Sequence, residues 1–178
     1  MNSLILVNRR HAYSQDTEQD LIPVHEDYPN ILLEQEAAHA LSLIMEQLDG
    51  WRFIVPVSGW RSLEEQLTIY EESLQENGPE FTAKFVAMPG HSEHQTGLAI
   101  DLGLRQPEID FIRPAFPYEG ICQIFRELAP AYGFIERYPA GKEHITGIAH
   151  EPWHFRYVGT PHSEIMAFKG LTLEEYLA

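Results

Sequence analysis

The sequence predicts an α+β domain. Amphipathic helical stretches gather near the two ends of the chain, several short aromatic or β-branched runs lie between them, and the regular strand–helix alternation of a doubly wound sheet is missing. At 178 residues, with 44% apolar side chains and no linker or repeat, residues 1–178 are expected to form a single domain with one real core.

The elements follow in order. Residues 13 to 30 are polar, hold two prolines and read as an irregular arm. From Ile31 to Leu48, Leu33, Ala37, Leu41, Ile44, Met45 and Leu48 recur at helical spacing, and Gly50 is the expected stop. Trp51 to Val57 reads as a strand, closed by the turn Ser58-Gly59. Ser62 with Glu65 forms a capping box that starts a second helix running toward Gly78. The glutamates of this helix are expected to face solvent. Leu98 to Leu102 is strand-like, and Gly120 to Leu128 is helical with Ile121, Ile124, Phe125 and Leu128 on one face. Gly133 to Tyr138 and Trp153 to Val158 are aromatic-rich strands. A last helix begins at Ser163 or Thr172.

Twelve basic residues against 27 acidic ones give a formal charge of −15, which repels phosphate backbones and anionic membranes, so no nucleic-acid partner is expected. The single cysteine, Cys122, reads as a buried free thiol, in keeping with a reducing compartment. The apolar run Leu4 to Val7 is too short for a signal peptide or a span, so the expectation is a cytoplasmic protein without a membrane anchor.

Two histidine clusters carry the chemistry. In Gly90-His-Ser-Glu-His-Gln-Thr-Gly-Leu-Ala-Ile-Asp101, a strand from Leu98 puts Ala99 and Asp101 on one face. Gly97 lets the chain turn so that His94 returns toward Asp101. The second cluster, His150-Glu-Pro-Trp-His154, matches H-E-x-x-H, the helical zinc-protease pattern. Pro152 argues against a helix: inside one it removes a hydrogen bond, clashes with the preceding turn at a cost of roughly 3 kcal/mol, and pushes Glu151 out of the α region. A turn into a strand is expected instead. His94, Asp101 and His154 then offer three protein ligands with a fourth position left for water, as catalytic zinc requires, and Glu151 is the general base. Arg61, where a strand hands over to a capped helix, is placed to hold an oxyanion, although alone it would read as a structural ion pair. His91 and His150 are expected outside the metal set.

Ser92-x-His94-x-x-Gly97-x-Ala99-x-Asp101 together with Glu151-x-x-His154 resembles the paired signature of the zinc D-Ala-D-Ala metallopeptidases, the vancomycin-resistance group of VanX-type dipeptidases, VanY-type carboxypeptidases and bifunctional VanXY enzymes. The likeness is densest from Val57 to Gly159 and includes Ser58-Gly-Trp-Arg-Ser and Ile145-Thr-Gly-Ile. It implies a small α+β domain with a central antiparallel sheet flanked by helices, related to the hedgehog domain. It also implies one Zn2+ per chain on His94, Asp101 and His154, with Glu151 as base and Arg61 as transition-state arginine. Ser92 and Gln66 become candidates for substrate contact, and Trp153 for a pocket wall or simply core. The implied reaction is hydrolysis of a small peptide ending in D-Ala-D-Ala, as the dipeptide or as a peptidoglycan precursor stem, serving cell-wall remodelling and vancomycin resistance. An L,D-carboxypeptidase and a non-catalytic zinc module are the alternatives.

Overall fold

In the computed structural model, which describes residues 2–14 and 19–178, a four-stranded antiparallel sheet is formed by β3 (Ile54–Ser58), β4 (Ala99–Leu104), β5 (Phe134–Tyr138) and β6 (Glu151–Tyr157). Its spatial order is β3-β4-β6-β5. A smaller ladder pairs β1 (Leu21–Pro23) with β2 (Leu32–Glu34). The helices are α1 (Gln35–Leu48), α2 (Leu63–Phe85), α3 (Gly120–Leu128), α4 (Glu143–Thr146), α5 (His162–Lys169) and α6 (Leu173–Leu177). None of the described helices is long and apolar enough to cross a membrane.

Alternation along the central strands makes the sheet two-faced. Ile100 and Leu102 of β4 join Trp153 and Phe155 of β6 against Leu41, Ile44 and Met45 of α1 and Phe125 of α3, all within one buried cluster. Each such side chain contributes roughly 1.5–3 kcal/mol when buried. This face supplies the stability that lets the opposite face bury charge, for Asp101, His154, Arg137 and Arg156 are all buried there. Cys122 packs into the same core, and burial pushes its thiol up to about 11, so it is an inert hydrophobe.

The elements differ from their sequence reading where tertiary pairing intervenes. The first helix begins at Gln35, not Ile31, because Leu32–Glu34 pair with β1, and β1 is itself cut from the arm expected to be irregular. Residues 15–18 of that arm lie outside the described residues. The strand expected from Trp51 starts at Ile54, after a 3-10 turn over Gly50–Arg52. The left-handed residue ending α1 is Asp49 (φ 49), and at Gly50 a Cβ would lie 2.9 Å from Met45 Sδ, so a larger residue there would have to displace that side chain. At Gly78 (φ 82) the helical conformation breaks as expected, but Pro79 restarts it and the helix continues to Phe85. In α3, Ile121, Phe125 and Leu128 face the core as expected and Cys122 joins them, while Ile124 is exposed.

Candidate active site

His94 reaches the sheet through a local device. Ser92 caps a 3-10 turn over Glu93–Thr96, its Oγ accepting from the His94 amide at 3.3 Å, and Gly97 (φ 74) reverses the chain into β4. A Cβ on Gly97 would stand 2.8 Å from Leu21 and 3.1 Å from Glu34, so the turn needs glycine for space as well as for conformation. His94 Nδ1 lies 2.7 Å from the Gly59 carbonyl, which leaves Nε2 pointing at Asp101 Oδ2, 3.2 Å away.

Register brings the other groups in. Asp101 pairs directly with His154 across β4 and β6, and His154 Nδ1 stands 3.0 Å from Asp101 Oδ1. In a regular strand Glu151 and His154, three apart, would face opposite sides. The pairing of β5 with β6 shifts between Glu136↔Phe155 and Tyr138↔Glu151, inserting extra length in β6 around Pro152. Glu151 therefore turns to the cleft, 3.6 Å from His154 Nδ1. A second irregularity, between Pro56 and Ser58 of β3, sets Ser58 opposite Asp101. Ser58 Oγ accepts from Arg61 Nε at 2.8 Å, and Arg61 Nη2 donates to Asp101 Oδ2 at 3.1 Å.

The ligand atoms offered by His94, Asp101 and His154 lie within 4.8 Å of one another, and all three residues are buried. Ligands about 2.0–2.1 Å from a tetrahedral zinc stand roughly 3.3 Å apart, close to the 3.0 and 3.2 Å separations here. Asp101 Oδ1 is buried and makes no aligned hydrogen bond despite its proximity to His154, which is costly unless a cation takes it up. The residues fit zinc.

The electrostatics agree. Burial would raise the Asp101 carboxyl, but His94 and His154 hold it far below the usual range. Burial alone would lower His154, yet the carboxylates of Asp101 and Glu93 outweigh it and bring the ring to about 9. Glu151 is pushed up to about 8, first by burial and then by Asp101, with His154 and Arg61 opposing. Positive charge among the three ligand atoms would bring it back down into the range of a working base.

Of the remaining expected residues, Ser92 lines the cleft, with Phe85, Phe111, Tyr138 and Ile148 completing the walls. Gln66 does not line it. Its Oε1 accepts from Arg61 Nη1 at 3.2 Å and its Nε2 donates to the Ala87 carbonyl at 2.8 Å, so its position suits holding Arg61 rather than touching substrate. Trp153 sits in the core beside Phe85, away from the cleft, as the core alternative required. His150 lies outside the metal set, with Nε2 2.6 Å from Tyr118 Oη, and His91 Nδ1 is 2.8 Å from the Asn8 carbonyl. Sequence reasoning missed Glu93, Tyr138 and the loop bearing Phe111. A signal existed for the surroundings of Glu93: Arg156, two residues from His154 on a strand, must share its face.

Comparison with known proteins identifies the family. A family model described as VanY, D-alanyl-D-alanine carboxypeptidase, matches residues 30–160. The chain is 41% identical over 187 residues to the bifunctional D-Ala-D-Ala dipeptidase and D-Ala-D-Ala carboxypeptidase VanXYC of Enterococcus gallinarum, covering 99% of this chain and 94% of that protein. The solved structure of the vancomycin resistance D,D-dipeptidase VanXYg, in complex with a D-Ala-D-Ala phosphinate analog, superposes with a TM-score of 0.97 at 57% identity, over 99% of this chain and 70% of that one. A mutant of the vancomycin resistance D,D-pentapeptidase VanY in complex with Zn(II) superposes with a TM-score of 0.80 at 28% identity, over 100% of both chains. The chain belongs to the VanY family of D-alanyl-D-alanine carboxypeptidases.

Proposed function

We propose that this chain is a zinc-dependent D,D-peptidase that hydrolyses the D-Ala-D-Ala dipeptide and the terminal D-Ala of peptidoglycan precursor stems, and so contributes to cell-wall remodelling and vancomycin resistance. The observation that carries the reading is one buried cleft in which His94, Asp101 and His154 converge, with Glu151 beside His154 and Arg61 on Asp101. Those three side chains would hold one zinc per chain, and zinc there supplies Lewis acidity to the water and to the scissile carbonyl.

The protein groups divide the remaining work. Glu151 takes a proton from the attacking water and passes it to the leaving amine. Arg61, fixed through Ser58, Gln66 and Asp101, presents its remaining N–H bonds to the carbonyl oxygen as negative charge develops. Because it is already held in place, little reorganisation is needed as the charge forms. Ser92 is positioned on the wall to contact substrate, and Phe85, Phe111 and Ile148 offer apolar surface that excludes water and suits alanine methyls.

The test is an assay of the zinc-loaded protein on free D-Ala-D-Ala, on a pentapeptide stem ending in D-Ala-D-Ala, and on the same stem ending in L-Ala-D-Ala. Turnover of the first two and discrimination against the third is expected. Turnover of the third alone would establish the L,D-carboxypeptidase, and zinc binding without any hydrolysis would establish a non-catalytic module.

A further inference from the structure

Behind His154 the polar sheet face buries a set of charges that the proposed reaction does not use. Glu93, Arg137 and Arg156 are enclosed, with no side-chain exposure. Glu93 Oε1 accepts from Arg137 Nε and from Arg156 Nη1, both at 2.7 Å. Arg137 then forks onto Glu174 of α6 at 2.8 and 2.7 Å, while Arg156 Nη2 donates to the carbonyls of Ser3 and Ile5 at 2.9 and 2.8 Å. The other oxygen, Glu93 Oε2, lies 3.4 Å from His154 Nε2, whereas Nδ1 of the same ring faces Asp101 and Glu151.

We propose that Glu93 is a positioning residue for the metal ligand His154, and that Arg137 and Glu174 extend its hold, so that the Glu93–Arg137–Glu174 chain of charges sets the zinc affinity. The inference rests on the zinc reading above. An imidazole offers the Nδ1 lone pair only when its proton sits on Nε2, and a carboxylate at Nε2 favours that tautomer and makes the ring a stronger ligand. Two guanidinium groups on Oε1 keep the carboxylate from rotating away. A cluster serving stability alone would not need its second oxygen aimed at a ligand, and buried ion pairs are in any case poor sources of net stability.

Zinc affinity of the full chain, measured by chelator competition, tests this, with urea unfolding to verify that each variant is folded. Glu93→Gln keeps the shape and loses the charge, and should weaken zinc binding by about 10–100-fold. Glu174→Gln should weaken it in the same direction by a smaller factor. Lys142→Ala cuts the neighbouring ion pair from Lys142 to Glu175 of α6 and should leave zinc affinity unchanged. If Glu93→Gln does not fold, Glu174→Gln decides alone. Unchanged affinity in the folded variants, or equal weakening in Lys142→Ala, overturns the inference. Wild-type protein that takes up no zinc would instead defeat the metal reading on which it stands.

Discussion

At one end of the polar sheet face Glu93 and Glu174 meet Arg137 and Arg156, carboxylate for guanidinium, with the further arginine donors on main-chain carbonyls. At the other end Asp101 and Glu151 share a single guanidinium, Arg61, with the imidazole of His154 between them, and Asp101 Oδ1 is left without an aligned hydrogen bond. The consequences diverge. Burial would raise Glu93, yet Arg137 and Arg156 hold it well below the ordinary carboxylate range, while burial and Asp101 carry Glu151 up to about 8. A closed set of charges makes a rigid support, and an open set holds a place for a cation and for a proton in transit.

That contrast can be broken in several ways. The largest effect is expected from Glu151→Ala, which should lower turnover by about 10²–10⁴-fold with zinc still bound, measured by steady-state kinetics beside metal analysis. Loss of the metal would make Glu151 a ligand and the cleft a four-residue site. On stability the two ends should separate: Glu93→Ala should cost about 3–5 kcal/mol in urea unfolding because it strands two buried guanidinium groups. The metal-free Glu151→Ala protein should unfold at or above the wild-type midpoint, since it sheds a carboxyl that burial disfavours. Equal losses would erase the distinction between support and site. Arg61→Ala should lower turnover by about 10²–10³-fold with metal content unchanged, and an unaltered rate would return Arg61 to a structural partner of Asp101. His150→Ala should have the smallest effect, removing one neighbour of the Tyr118 hydroxyl, which still donates to Glu136, and leaving zinc bound. Release of zinc by that variant would revive the helical reading of His150-Glu-Pro-Trp-His154.

Much of the open end was legible in the sequence because its residues are tied to local rules. Pro152 excluded a helix, alternation put Asp101 on one face, and Gly97 marked the turn that returns His94. The Ser62–Glu65 capping box placed the start of the helix behind Arg61, and both of its hydrogen bonds are present. Beyond the face that Arg156 shares with His154 the closed end was not legible, because Glu93, Arg137, Arg156 and Glu174 come from a turn, two strands and the last helix, and only tertiary packing brings them together. The direction in which Glu151 faces was hidden for a related reason. Strict alternation would send it away from His154, and the shift in β5–β6 pairing that restores it has no signature beyond the proline. Gln66 shows the limit of a motif: its position is as expected, but both ends of its amide are engaged by protein.

Calorimetric titration of the metal-free chain with zinc tests most directly whether the open end is an incomplete cation site. One zinc per chain is predicted for the wild type, with binding abolished in a folded Asp101→Ala variant. Absence of zinc uptake by the wild type, or uptake that Asp101→Ala leaves intact, would contradict that prediction.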